Sequence, residues 1–172
     1  SSVLVQDTVI AGNEALKCSA GVVQGSNVIF VRVEFRENMA HEDGKTLYVT
    51  HDSTLTLIEC LFIRNHMEPV SYTPRSSGGA LWLTMNSKAT ITRSYFDGND
   101  IGYASYAAVI FLEGASTEVK IDTSIFANHY GSGHVIHQFT EGSIPWTVQL
   151  DTTTFLSNAI PAISSTTDVL VQ

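Results

Sequence analysis

Positive charge is scarce in this chain. Nine Lys and Arg stand against seventeen Asp and Glu among 172 residues, a net charge of −8, and the nine form no cluster. A nucleic-acid groove needs a positive stripe, so no nucleic-acid partner is expected. Cysteine is scarcer still. Cys18 and Cys60 are too few for a disulfide scaffold, and their spacing matches no metal motif. They could pair, but two small buried thiols is the plainer reading. Long apolar runs are missing as well: stretches such as Ala107–Leu112 fall far short of the roughly 20 residues of a membrane span. No transmembrane segment is expected. No charged-then-apolar opening reads as a signal peptide, and there is no Asn-x-Ser/Thr acceptor. Charged residues make up only 15% of the chain against 44% hydrophobic, the reverse of a disordered composition.

What is present is a repeat. The tetrad Phe-x-x-Asn occurs as Phe35–Asn38, Phe62–Asn65, Phe96–Asn99 and Phe155–Asn158, and Ile10–Asn13 is the same tetrad with Ile. Phe126-Ala-Asn128-His129 reads as a slipped copy. The copies start at 10, 35, 62, 96, 126 and 155, at intervals of 25, 27, 34, 30 and 29 residues. Aligned on that position, the residues two earlier are Thr8, Val33, Cys60, Ser94, Ser124 and Thr153, all small or β-branched. Five earlier stand Val5, Phe30, Leu57, Ile91, Ile121 and Leu150. Seven earlier stand Val3, Val28, Leu55, Ala89, Val119 and Val148. Both of these columns are wholly apolar. Nine earlier stand Ser1, Ser26, Ser53, Ser87, Thr117 and Trp146.

Period-two alternation marks a strand with one buried face. The columns at minus seven and minus five make one strand; those at minus two and zero make a second. The phase slips by one residue between them, so the chain must bend there. A third apolar stretch precedes the first strand in several copies: Leu47–Val49, Ala80–Leu83 and Val109–Leu112. The pattern therefore predicts an all-β fold over residues 1–172. It is a single right-handed parallel β-helix of about six coils, with three short strands per coil. Stacked at the strand spacing, six coils would make a rod roughly 30 Å long. Leucine-rich, helical-repeat, propeller and sandwich architectures fit the columns less well. Asn13, Asn38, Asn65, Asn99 and Asn158 then fall at one turn on successive coils, where Asn tolerates left-handed backbone and its amide can bond the copies above and below. They are predicted to form a structural ladder.

Repeated Phe-x-x-Asn together with Gly-Gly-Ala-Leu at Gly78–Leu81 resembles the repeats of chlamydial polymorphic membrane proteins. More broadly the chain resembles the right-handed parallel β-helix, or pectin-lyase-like, superfamily. The first tetrad runs along the whole chain; the second occurs once, with echoes at Tyr106–Val109 and Ser19–Val22. The resemblance implies the coil type. It extends to adhesins, large surface proteins and sugar-processing enzymes alike, so it implies an extracellular or cell-surface setting without selecting a function.

Candidate chemistry is thin. Asp122 and Asp151 share one column, four residues before the Phe, about one strand spacing apart. A glycoside hydrolase needs such a carboxylate pair, but Thr92 and Ile58 occupy the neighbouring places in the column. Beside it Asp7, Arg32, Glu59 and Arg93 alternate in sign, which reads as a ladder of stabilising ion pairs. Asp97 and Asp100, flanking Asn99, are weak candidates for a metal; Asp, Gly and Asn are also ordinary turn residues. Gly131–His134, with His129 and His137 near, resembles the Gly-His-Gly stretch of polygalacturonases, but that family's other motifs are absent. A Thr array at Thr54, Thr56, Thr90, Thr92 and Thr147 is interrupted by Lys88, Glu118, Lys120 and Gln149, which disfavours ice binding.

Two insertions lengthen the coils, His66–Ser77 and Asp100–Ala107. They carry Tyr72, Arg75, Tyr103 and Tyr106, side chains suited to a partner interface. No cofactor is expected. The leading expectation is a non-catalytic structural or binding module of a surface, adhesive or scaffold protein, or an accessory subunit of a large assembly. Other protein chains would bind at the coil ends or insertion loops, and carbohydrate is a second class of ligand. The alternative is a lyase or hydrolase acting on acidic polysaccharide. Ser1 and Gln172 both fall in strand-like copies without a cap, so the chain is expected to be part of something longer or to meet a partner at its ends.

Overall fold

The computed structural model describes residues 1–41, 45–67, 79–101, 107–114, 116–131, 133–139, 148–164 and 170–171. Every strand pairing among them is parallel, and each strand neighbours its counterpart on the next coil. The first sheet has seven strands: Ser2–Gln6, Asn27–Val31, Thr54–Ile58, Lys88–Thr92, Glu118–Asp122, Val148–Asp151 and Leu170–Val171. The second has six: Val9–Ala11, Glu34–Arg36, Leu61–Ile63, Tyr95–Asp97, Ile125–Ala127 and Thr154–Leu156. The third also has six: Cys18–Gln24, Lys45–Thr50, Gly79–Thr84, Ala107–Glu113, Gly133–Phe139 and Ile163–Ser164. The chain is a parallel β-helix. A fourth strand of two residues adds to the three expected on the early coils, at Glu14–Ala15, Met39–Ala40 and His66–Met67. Single bridges from His66 to Asp100 and from Asp100 to Tyr130 extend it.

The aligned columns stack as the repeat requires. Ile10, Phe35, Phe62, Phe96, Phe126 and Phe155 are register partners in turn. From Phe35 to Phe126 the rings lie 4.5–4.7 Å apart and within 15° of parallel. Stacked phenyl rings at one strand spacing fill the core without a gap, and dispersion between them accumulates coil by coil. Leu55, Leu57, Ile91, Val119 and Ile121 line the first sheet's inner face and are buried. Cys18 and Cys60 are not joined in a disulfide. Cys60 is buried, and that burial pushes its thiol pKa up.

Most corners share one pattern, a residue in left-handed conformation and then a small polar side chain turned inward; apolar Val33 and the larger His129 depart from it. Before the Phe, the left-handed residues are Asp7, Arg32, Glu59, Arg93, Thr123 and Thr152, with φ between 46° and 55°. After it they are Gly12, Glu37, Arg64, Gly98, Asn128 and Ser157. For a non-glycine residue this conformation costs about 1–2 kcal/mol. Inter-coil backbone bonds hold it, as in Arg32 N–H to Ile58 at 2.9 Å and Glu37 N–H to Ile63 at 3.0 Å. The next residue then receives the preceding coil's N–H on its side chain. Cys60 N–H donates to Ser94 Oγ, and Ser94 N–H to Ser124 Oγ, both at 3.1 Å. At the third corner Ser26 N–H donates to Ser53 Oγ and Ser53 N–H to Ser87 Oγ.

The asparagines form the third such column. Asn38 and Asn65 each donate both the backbone N–H and Nδ2 to Oδ1 of the next Asn, at 3.0–3.1 Å. The remaining Nδ2 proton of Asn38, Asn65 and Asn99 goes to a backbone oxygen of Ile10, Phe35 and Phe62 respectively. One expectation is corrected here. The copy at Phe126 is not slipped: Phe126 pairs in register, Asn128 takes the left-handed position, and His129 stands in the ladder. Asn99 N–H donates to His129 Nδ1 at 3.1 Å, and His129 N–H to Asn158 Oδ1 at 3.0 Å. The spacing Phe-x-x-ladder is conserved geometry, while the chemistry of the ladder residue is not fixed by it.

Gly79, the second glycine of Gly-Gly-Ala-Leu, has a close-approach role. At φ 135° any Cβ there would overlap the carbonyl oxygen of Ala108 on the next coil.

Candidate functional site

Outward-facing groups are distributed over three corners and three sheet faces rather than gathered in one cleft. On the first sheet Asp122 and Asp151 are register partners, as their shared column predicts. Each carboxylate accepts a hydrogen bond from the hydroxyl of the following threonine, Thr123 at 2.7 Å and Thr152 at 3.1 Å. They cap their own turns. Thr92 and Ile58 continue the column, so the column adds no third carboxylate to the pair.

Along the neighbouring corner Arg32 binds Asp7 through two nitrogens, Nε at 2.6 Å and a terminal nitrogen at 3.0 Å. Arg93 Nε binds Glu59 at 3.1 Å. The hydrogen bond from Arg32 holds the Asp7 carboxyl below its ordinary pKa, and Asp7 raises that of Arg32 in return. Both side chains are about half exposed, which keeps the energetic weight of the pair small. A shallow groove of about 180 Å³ follows this ladder, lined by Asp7, Arg32, Glu34, Glu59, Val9 and Leu61. On the opposite edge of the second sheet Arg64 pairs with Glu37 at 3.0 Å. Between these edges the sheet's outer face exposes Val9, Leu61, Ile125 and Leu156, with Glu34 in register between Val9 and Leu61 and paired with Arg36 at 3.4 Å.

Asp97 and Asp100 are drawn to different partners. Asp97 accepts from Asn128 Nδ2 at 2.7 Å, and Asp100 Oδ2 meets His66 Nδ1 at 2.7 Å. Among the described residues no three His, Cys, Asp or Glu side chains gather as a metal site. The His66–Asp100 pair, and a second pair of Glu14 with His41 Nε2 at 2.7 Å, escaped the sequence reading. The first pair lies in the column four residues after the Phe, Glu14, Met39, His66, Asp100 and Tyr130; the second runs diagonally from Glu14 in that column to His41, two residues beyond Met39. The Tyr130 hydroxyl is pushed up in pKa by partial burial and then by Asp100.

The three histidines near Gly131 do not converge. His129 is inside the ladder, while His137 lies on the third sheet's outer face, where His134 stacks on it with ring centres 5.5 Å apart. That face carries an aromatic column in register: Tyr48, Trp82, Phe111 and His137. Tyr48 on Trp82 and Trp82 on Phe111 meet edge to face, at 62° and 88°. The Lys45 ammonium sits 3.4 Å from the Trp82 ring centre. Phe111 and His137 are 4% and 8% exposed, so the column is an outer core layer rather than an open platform. Burial lowers His137 to a pKa of about 4. Tyr72, Arg75, Tyr103 and Tyr106 lie outside the described residues. No described helix is long and apolar enough to cross a membrane.

Comparison with known proteins finds no matching family model, no matching curated protein and no matching solved structure.

Proposed function

We propose that this chain is a non-catalytic structural and binding module, a segment of a surface, adhesive or scaffold protein or an accessory subunit of a large assembly. The observation that carries the reading is the way its reactive groups are occupied. Asp122 and Asp151 cap their own turns, Asp97 and Asp100 hold Asn128 and His66, and the arginines at the corners pair with acids one coil away. An acid–base site needs two or three such groups aimed at one point in space. On the second sheet's outer face the exposed aliphatic side chains are interleaved with the Glu34–Arg36 pair, the mixed apolar and charged make-up of a contact surface. Kinship with the pectin-lyase-like superfamily or with chlamydial polymorphic membrane proteins belongs to the same proposal and rests on the repeated tetrads. Adhesive and scaffold roles then place the chain outside the cell or at its surface.

The test is direct. The chain is incubated with polygalacturonate and alginate, and release of reducing ends and of unsaturated uronate is followed. No turnover is expected for the wild type or for Asp122→Asn. Turnover that disappears in Asp122→Asn or Asp151→Asn would replace this reading with the enzymatic one.

A further inference from the structure

We propose that His129 is an acid-sensitive joint in the buried ladder, whose protonation uncouples the last coils from those before them. At Asn38 and Asn65 the backbone N–H of one coil meets an amide oxygen of the next, an acceptor at every pH at which the protein is folded. At the next step Asn99 N–H meets His129 Nδ1, which accepts only while the imidazole is neutral. A proton on Nδ1 sets two donors against each other. The ring is fully buried, and the groups that favour its charge, the backbone beside it at Phe96 and the Asp97 carboxylate, do not offset that burial.

The charged surroundings do not reverse this. Asp97, on the preceding coil, attracts the cation, but its carboxylate is engaged by Asn128. Asp100 is engaged by His66, and Tyr130 is neutral in the relevant range. Of the strands on the two neighbouring coils, Tyr95–Asp97 carries Tyr95, whose pKa is raised so that it stays neutral, besides Asp97, and Thr154–Leu156 carries no ionisable side chain. Burial outweighs Asp97 and lowers His129 to a pKa of about 4. The folded value lies below the ordinary one of 6.5. The stabilising contribution is therefore whole above about pH 6.5 and is lost as pH falls from there through about 4. Within that window, opening of the joint grows by up to about tenfold per pH unit.

His129→Asn places the column's own residue at the joint. Amide hydrogen exchange, corrected for the intrinsic rate, is measured from pH 7 to pH 4.5 on the full chain. In the wild type the protection of the Asn99 amide, with that of strands 125–127 and 148–151, is expected to fall by nearly tenfold per unit below 6.5. Strands 54–58 and 61–63 hold. In His129→Asn the Asn99 amide is expected to lose less than about threefold. His137→Phe removes the other strongly shifted imidazole of this coil and is expected to leave the Asn99 response in place. An equal loss in His129→Asn, or an unchanged Asn99 amide in the wild type, overturns the proposal. Should His129→Asn fail to fold, nitrogen NMR of the wild type decides. The neutral ring must carry its proton on Nε2, and ring and Asn99 amide must titrate with one midpoint below pH 5. Separate midpoints count against the joint.

Discussion

At the corner after each Phe, Asn38, Asn65 and Asn99 pass hydrogen bonds from coil to coil inside the rod. At the corner before it, Asp7, Arg32, Glu59 and Arg93 pair along its outside. Both columns repeat at the same spacing and link neighbouring coils; the outer one is made of left-handed residues, and the inner one follows directly after them. They differ in solvent. Asn65 is 1% exposed, whereas the Arg32 side chain is 52% exposed. A buried amide that loses its partner leaves donors with nothing to bond; an exposed guanidinium that loses its partner returns to water. The inner column carries the structure, and the outer one tunes a surface.

The largest effect expected lies beside the inner column. Phe62→Ala removes a ring stacked on both sides and leaves a cavity that the rigid coils cannot close; about 4 kcal/mol of stability is lost, read from urea unfolding. Asn65→Ala strands the N–H and Nδ2 of Asn38 and costs about 3 kcal/mol. The comparison sharpens within one column. Asn13 makes the same bonds to Asn38 but is exposed, so Asn13→Ala is expected to cost under about 1 kcal/mol. Equal losses at 13 and 65 would show that burial is not what separates the two ladders. At the corner itself Thr123 is a β-branched residue at φ 47°, and Thr123→Gly is expected to stabilise by about 0.5–1 kcal/mol. Smallest of all, Arg32→Ala should leave the thermal midpoint within replicate error in 0.15 M salt. A clear drop there would break the distinction from the outside.

Much of this was legible in the residues. The apolar columns at minus seven and minus five, the stacked Phe column and the Asn ladder follow from alternation and recurrence, because a solenoid forces like positions onto one another. The corner was readable as a phase slip, but the left-handed backbone expected at the asparagines falls one residue earlier, on Gly12, Glu37, Arg64, Gly98 and Ser157. The ion pairs of Asp7 with Arg32 and Glu59 with Arg93 were readable as alternating sign. His129 was misplaced by matching the letter Asn at 128 rather than the spacing from Phe126. The pair His66–Asp100 was missed because its column mixes charge, sulfur and aromatic residues, and Glu14–His41 because it runs diagonally between two columns.

By itself the sequence determined the coil: its period, its interior columns and its all-β parallel stacking, because these depend only on which positions recur. Only the tertiary structure decided what each polar group does. Whether Asp122 faces a substrate or its own turn, whether His129 is a surface loop residue or a ladder rung, and whether an ion pair is wet or dry all depend on side chains from neighbouring coils 25 to 34 residues away. Those distances in space, and the water they admit or exclude, set the chemistry, and recurrence along a chain does not encode them.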